Sequence, residues 1–172
     1  MRIIEDLKQH AQGSTLRVLN TLFLNPNFHC VMWFRLANWL GKFKPLVICS
    51  KLIMYLNRVI YSVDIDYRAD LAGGFMLVHG IGTVIGKGVK TEGPVKIYQG
   101  VTLGGNSNKR RIVQNKEFSQ PWLKDGVIVY ANATVIGPVI IECGSVVGTN
   151  AVITKDIPEG CVVYTKVEMV IK

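Results

Sequence analysis

From residue 63 onward the sequence keeps a period of six. Aliphatic side chains fall in one column at Leu123, Val129, Val135, Ile141, Val147 and Ile153, and a second column four places on holds Val127, Ala133, Val139, Ser145, Ala151 and Ile157. The same ruler fits upstream through Ile65, Leu71 and Leu77, then through Ile85, Thr91, Ile97 and Leu103, with Val89, Val95 and Val101 in the second column. Such a beat suits a chain that makes a short strand, turns a corner and repeats, so that three hexads close one triangular coil of a β-helix. The columns then point inward and stack on their equivalents in neighbouring coils, while glycines and asparagines take corners where positive φ is needed. An antiparallel sandwich would alternate with period two and turn less regularly. The period alone leaves the hand of the coil open.

The ruler slips twice. Two residues are added between Leu77 and Ile85, and a long excursion runs from about Gly104 to Pro121. Insertions bulge off an otherwise rigid scaffold, which makes them the places where function is added to a repeat. His79 lies in the first insertion, within MLVHGIGTVIG, and is the only histidine of the repeat region. Asp64 stands fifteen residues earlier, in VDIDYRADL. With about eighteen residues per coil, this separation can bring the two onto adjacent coils near one corner, where a carboxylate can orient an imidazole, though spacing alone leaves the pairing open. A turn or cap role for Asp64 fits the same spacing.

Residues 1–62 follow a different grammar, rich in Leu, Trp and Asn and nearly free of glycine. Phe28, Trp33, Leu36 and Leu40, with Leu46, Cys49, Ile53, Leu56 and Ile60, read as apolar stripes on two or three helices that pack on the repeat region. Pro26 and the Gly41 to Pro45 stretch are the natural breaks. The expected organisation is a helical region at 1–62, a β-helix at 63–158 with an extended loop at about 104–121, and a tail at 159–172.

The chain of 172 residues carries a formal charge of +8, which suits a polyanionic or phosphate-rich partner. No nucleic-acid-binding signature accompanies the scattered basic residues, so nucleic acid is set aside. Cys30, Cys49, Cys143 and Cys161 stand far apart, without zinc-type pairs or a disulfide framework, and are expected to be buried free thiols. The start MRIIEDLKQH is not a signal peptide, and PLVICSKLIMYLNRVIYSV is interrupted by Lys51, Asn57 and Arg58, so cytoplasmic residence is the expectation.

The strings DIDYRADL, LVHGIGTVIG, IYQGVTLGG, QPWLKDGVIVYANATVIG and VVGTNAVITKDIP resemble the serine acetyltransferases and their shorter relatives among the hexapeptide-repeat acyltransferases. The resemblance covers nearly all of residues 63–158, and FRLANWL with YLNRVIYSVDID resembles the helical leader of the shorter relatives. It implies a mainly β fold, a left-handed parallel β-helix with a short N-terminal α-helical region, assembled as a homotrimer with active sites between subunits. It also implies acetyl-CoA as co-substrate, no metal, His79 as general base and Asp64 as its partner. Gly105, Ala131 and Thr149 match positions whose main chain meets the cofactor. Lys155 and the Lys109 to Arg111 cluster are candidates for its phosphates, with a solvated loop face as the plainer role of the cluster.

Several positions depart from the serine enzymes. Their Arg-His pair before the proline matching Pro121 is here Ser119 and Gln120, and the aspartate before the catalytic histidine is Val78. Each change removes a charged or polar partner for a zwitterionic amino acid. Asp66 replaces the histidine of the family's DIHP string, and YTKVEMVIK lacks the usual closing motif. The expected function is an O-acetyltransferase resembling serine O-acetyltransferase, with a sugar or polysaccharide-precursor acceptor and a non-catalytic trimeric scaffold as alternatives. A γ-class carbonic anhydrase needs three zinc-binding histidines, and the repeat offers one. Peripheral contact of Trp33, Trp39 and nearby lysines with a membrane is the less favoured reading of the helical region.

Overall fold

The structure, a computed structural model, describes residues 2–107, 109–113 and 115–166. Helices come first: α1 (Arg2–Ala11), α2 (Thr15–Leu24), α3 (Pro26–Leu40) and α4 (Val47–Tyr61), with a 3-10 turn at Lys44–Leu46. Proline lacks the N–H that a first helical turn leaves unpaired, and Pro26 opens α3 accordingly. Asn25 caps it, its Oδ1 accepting from the N–H of Asn27 and of Phe28 at 3.0 and 3.2 Å.

From Asp64 the chain winds a left-handed parallel β-helix with three faces. The first face stacks Asp64–Ile65, Val84–Ile85, Thr102–Gly104, Thr134–Ile136 and Val152–Ile153. The second stacks Phe75–Val78, Val95–Tyr98, Ile128–Val129, Val146–Val147 and Val162–Val163, and the third Lys90–Thr91, Trp122–Leu123 and Ile140–Ile141. Every residue of the two sequence columns is buried, and fully burying a Val, Leu or Ile side chain contributes roughly 1.5–3 kcal/mol. The two polar column members are satisfied: the Ser145 hydroxyl donates to Pro158 O at 2.6 Å, and Thr91 Oγ1 accepts from the Ala72 N–H at 2.8 Å. The long excursion carries an antiparallel pair, Arg111–Val113 with Lys116–Phe118. Of the tail, residues 167–172 lie outside the described residues.

The helices grip the first coil through a buried ion pair. Arg35 on α3 donates Nε and Nη2 to the Asp6 carboxylate at 2.8 and 2.9 Å, and Nη1 and Nη2 to the carbonyls of Leu71 and Ala72 at 2.5 and 2.6 Å. Asp6 also accepts from the Phe75 N–H at 2.9 Å. Such a pair is stable only when its remaining lone pairs and protons find partners, as these do.

The apolar stripes are a correction. Phe28 is buried, and Leu40, Leu46 and Ile53 are half-buried, but Trp33, Leu36, Cys49, Leu56 and Ile60 are exposed. The packed face of α3 is Cys30, Val31, Phe34 and Ala37, and that of α4 is Ser50, Met54 and Asn57. The reason is that the buried side of α4 is polar, with Ser50 fully buried and Asn57 Nδ2 donating to Cys30 O of α3 at 3.3 Å. The thiol expectation also changes. All four cysteines are free, but only Cys30 is buried, and Cys49 and Cys143 are exposed.

Candidate active site

Strand register locates the first insertion. Ile85 pairs with Leu103, eighteen positions on, whereas Val78 pairs with Tyr98, twenty positions on. The surplus falls at the corner immediately after Val78, so His79 is pushed out of the wall with its side chain exposed. Its backbone is left-handed, φ 62°, a conformation that costs a non-glycine residue of order 1 kcal/mol. The next residue is pinned across the domain, the Gly80 N–H donating to Asn27 Oδ1 at 2.8 Å. That tie runs to the first turn of α3, so the helical region fixes the insertion in place.

His79 lines a cleft of about 270 Å³ with Pro26, Asn27, Cys30, Ile60, Tyr61, Val63 and Ile81. None of these neighbours is a charged residue. Burial pushes the Cys30 thiol up to about 12, so it is a neutral wall and not a nucleophile. Among the described residues nothing hydrogen-bonds the His79 ring, which leaves its nitrogens open to a ligand.

The expected Asp64–His79 pair is not made within the single chain. Asp64 lies on the first face, and its Oδ2 is 2.7 Å from Arg58 Nη2 of α4. It opens on a separate cleft of about 380 Å³, with Lys51, Tyr55, Arg58, Asp66 and Arg68 among its walls. Arg58 was invisible to the sequence reading as a partner, because a pair six residues apart across a helix end belongs to no helical spacing.

The remaining candidates divide between two corners. The N–H of Gly100 donates to Ile81 O, that of Asn132 to Gln99 O, and that of Asn150 to Ala131 O, at 2.9, 2.9 and 3.0 Å. Ala131 and Thr149 therefore share the corner column into which His79 is inserted, where Gly82, Gly100, Asn132 and Asn150 all have positive φ. Gly105, Ser119 and Gln120 gather at the opposite end of the first face, where Gln120 Oε1 accepts from the Gly88 N–H at 3.1 Å. Gln120 also fills the space beside Gly86, where a Cβ would meet its amide oxygen, and a Cβ at Gly105 would lie in van der Waals contact with its Cγ. Lys155 lies exposed at this second corner, next to Asp156. Val78 closes its strand half-buried beside Tyr98.

The Lys109 to Arg111 cluster is largely engaged within the chain. Arg111 Nη1 contacts both oxygens of Asp156 at 2.7 and 2.6 Å, docking the hairpin on the coil, and Arg110 reaches Glu117 at 3.2 Å. Asn27 and Tyr61 were missed as site residues. Their only sequence signal was proximity to helix ends, and Asn27 acts on a residue 53 positions away. Among the described residues no group of His, Cys, Asp and Glu could hold a metal.

No family model matches the chain. Individual relatives do. A serine acetyltransferase of Synechococcus elongatus is 34% identical over 148 residues, covering 84% of this chain and 57% of its own length. One from Helicobacter pylori is 33% identical over 139 residues, covering 81% of this chain and 77% of its own. The crystal structure of Neisseria gonorrhoeae serine acetyltransferase in complex with serine superposes with a TM-score of 0.82 at 26% identity, over 96% of this chain and 66% of that one. The chain spans somewhat over half the length of several of these relatives, 57% to 60% for the cyanobacterial, mycobacterial and one aphid-endosymbiont enzyme.

Proposed function

The chain belongs to the serine acetyltransferase family, and from that premise we propose that it is an acetyl-CoA-dependent O-acetyltransferase with His79 as general base. The observation that carries the reading is the insertion at His79: two surplus residues and an unfavourable φ hold an imidazole outside the coil, in a cleft with no competing partner. A scaffold has no use for that arrangement.

In the proposed reaction the His79 ring takes the acceptor hydroxyl proton as the oxygen attacks the thioester carbonyl. The tetrahedral adduct collapses, the C–S bond breaks, and the departing thiolate recovers the proton from the imidazolium. The products are an acetyl ester and free coenzyme A, with no covalent enzyme intermediate. Proton transfer of this kind contributes about 10²–10⁴ in rate, and alignment of the two substrates in one cleft corresponds to effective molarities of roughly 10⁵ M or more.

Asp64 enters as the carboxylate that orients and charge-stabilises His79 in the loaded site. Its pair with Arg58 is half-exposed on both sides, and such pairs contribute roughly 0–1 kcal/mol, a weak hold against an imidazolium forming nearby. Gly105, Ala131, Thr149 and Lys155 are proposed to meet the cofactor. Since Ala131 and Thr149 stand at His79's corner and the others at the next, one chain cannot close a single cleft around them. That division supports a homotrimer whose clefts lie between subunits, with Ser119 and Gln120 of one chain facing the His79 of another.

Family membership puts serine first among acceptors. One observation favours a second reading, an uncharged hydroxyl such as that of a sugar: the described walls of the His79 cleft hold no charged group, and Val78, Ser119 and Gln120 supply none. Thiol release from acetyl-CoA with serine, homoserine, sugars and nucleotide sugars tests both. Turnover with any of these that disappears in His79→Ala, with coenzyme A binding retained, is the expected result. Turnover retained in that variant would remove His79 from its role.

A further inference from the structure

The outer side of the α3–α4 hairpin is built the wrong way round for water. On α4, Ile48, Leu52, Tyr55, Leu56, Val59 and Ile60 are exposed, opposite the packed Ser50, Met54 and Asn57. On α3, Met32, Trp33, Leu36 and Trp39 are exposed. Trp33, Ile53, Leu56 and Ile60 line one groove between the two helices, so these sides form a continuous surface. An exposed apolar patch of this kind marks an interaction site.

Charge identifies the occupant. From residue 7 to residue 63 the sequence has no Asp or Glu and seven Lys and Arg. Lys42 and Lys44 flank exposed Phe43 in the connecting turn, where Trp39 stacks edge-on against Phe43 at 5.4 Å, and Lys51 borders the apolar side of α4. None of these lysines has an ion-pair partner among the described residues. The nearby carboxylates Asp64, Asp66 and Asp70 are each matched to an arginine, Arg58, Arg68 and Arg2 respectively. A second copy of this surface would bring uncompensated lysines face to face, whereas an anionic bilayer takes both the lysines at its headgroups and the aromatics at its boundary.

We infer that the outer α3–α4 surface with its Trp39–Lys44 turn docks on an anionic lipid membrane, lying on it as an amphipathic face. Among the described residues no helix is long and apolar enough to cross a membrane. Ile60 also walls the His79 cleft, so a docked chain presents that cleft at the lipid boundary, suited to an acceptor hydroxyl carried on a lipid. This last step rests on the acyltransferase reading; the docking does not.

Co-sedimentation of the full chain with phosphatidylglycerol/phosphatidylcholine vesicles against pure phosphatidylcholine tests it, with tryptophan emission as a second readout. Binding to the anionic vesicles, a blue shift and loss of both on adding salt are expected. Lys42→Glu, Lys44→Glu and Lys51→Glu together should lower partitioning on the order of 100-fold, and Trp39→Ser with Phe43→Ser should also weaken it, both with unchanged circular dichroism. His79→Ala should bind vesicles as the parent does, which separates failure of docking from failure of the catalytic assignment. Equal partitioning onto both vesicle types would overturn the inference. So would light scattering in which Trp39→Ser with Phe43→Ser dissolves an assembly of copies, since the surface would then belong to a partner chain.

Discussion

The coil and the helical region solve opposite problems with the same vocabulary. In the coil, aliphatic side chains point in, and the exposed residues are mainly polar or charged. In the helical region Asp6, His10, Arg35, Ser50 and Asn57 share the interior with Phe28, Val31, Phe34 and Met54, while leucines, tryptophans, Phe23 and Phe43 face out. A stacked coil can hide its apolar columns on copies of itself, one turn above and below. Short helices clamped on its end have no such neighbour, so one apolar seam joins the core of the coil, directed polar contacts add to it, and the outer apolar sides stay free for something outside the chain.

The sharpest way to break that comparison is at the corner where the two regions meet. His79→Gly should lower kcat by about 10²–10⁴ while leaving the melting temperature unchanged or higher, because glycine relaxes the φ of 62°. A loss of stability instead would make His79 a structural corner residue. Asp64→Asn, with Arg58→Ala beside it, should lower kcat more than Arg58→Ala alone; equal effects would leave Asp64 as an anchor of α4 only.

In the helical region the largest stability change is expected from Arg35→Ala. Removing one partner of a buried pair leaves Asp6 charged and uncompensated, a loss of about 3–5 kcal/mol in chemical denaturation. In the coil, Leu103→Ala should lose about 2–5 kcal/mol through the cavity left in its column. Val59→Ser, on the outer side of α4, should change stability by no more than roughly 0.5 kcal/mol. A large loss there would mean that the surface is packed after all.

The smallest effect is set by pH. Burial is the main reason that His10 titrates below its ordinary 6.5, its Nδ1 donating to Asp6 O at 2.8 Å. The unfolded chain then binds the extra proton first, so this contribution is complete above about pH 6.5 and declines on acidification until the folded group is also protonated. His10→Gln should flatten that part of the stability curve.

The six-residue columns were legible because each coil repeats its neighbour: position in the sequence is position in space, and every column residue is buried. The location of His79 was legible for the same reason, as a fault in an otherwise regular count. The orientation of the helices was not. Reading an apolar stripe as an inward face assumes water on the other side, and that assumption failed for Trp33, Leu36, Leu56 and Ile60. Nor could spacing find Arg58 beside Asp64, Asn27 beneath Gly80, or Arg35 holding Asp6, since each depends on how the helices dock on the first coil.

The placement of the candidate residues at two different corners means that, in the proposed assembly, every chain contributes two half-sites that do not meet on the same molecule. In the proposed trimer, a chain disabled at His79 still lends a sound Gln120 edge to its neighbour, and a chain disabled at Gln120 still lends a sound histidine. Two dead variants co-expressed would therefore restore turnover that neither possesses when purified alone, a rescue that a self-sufficient chain could never display.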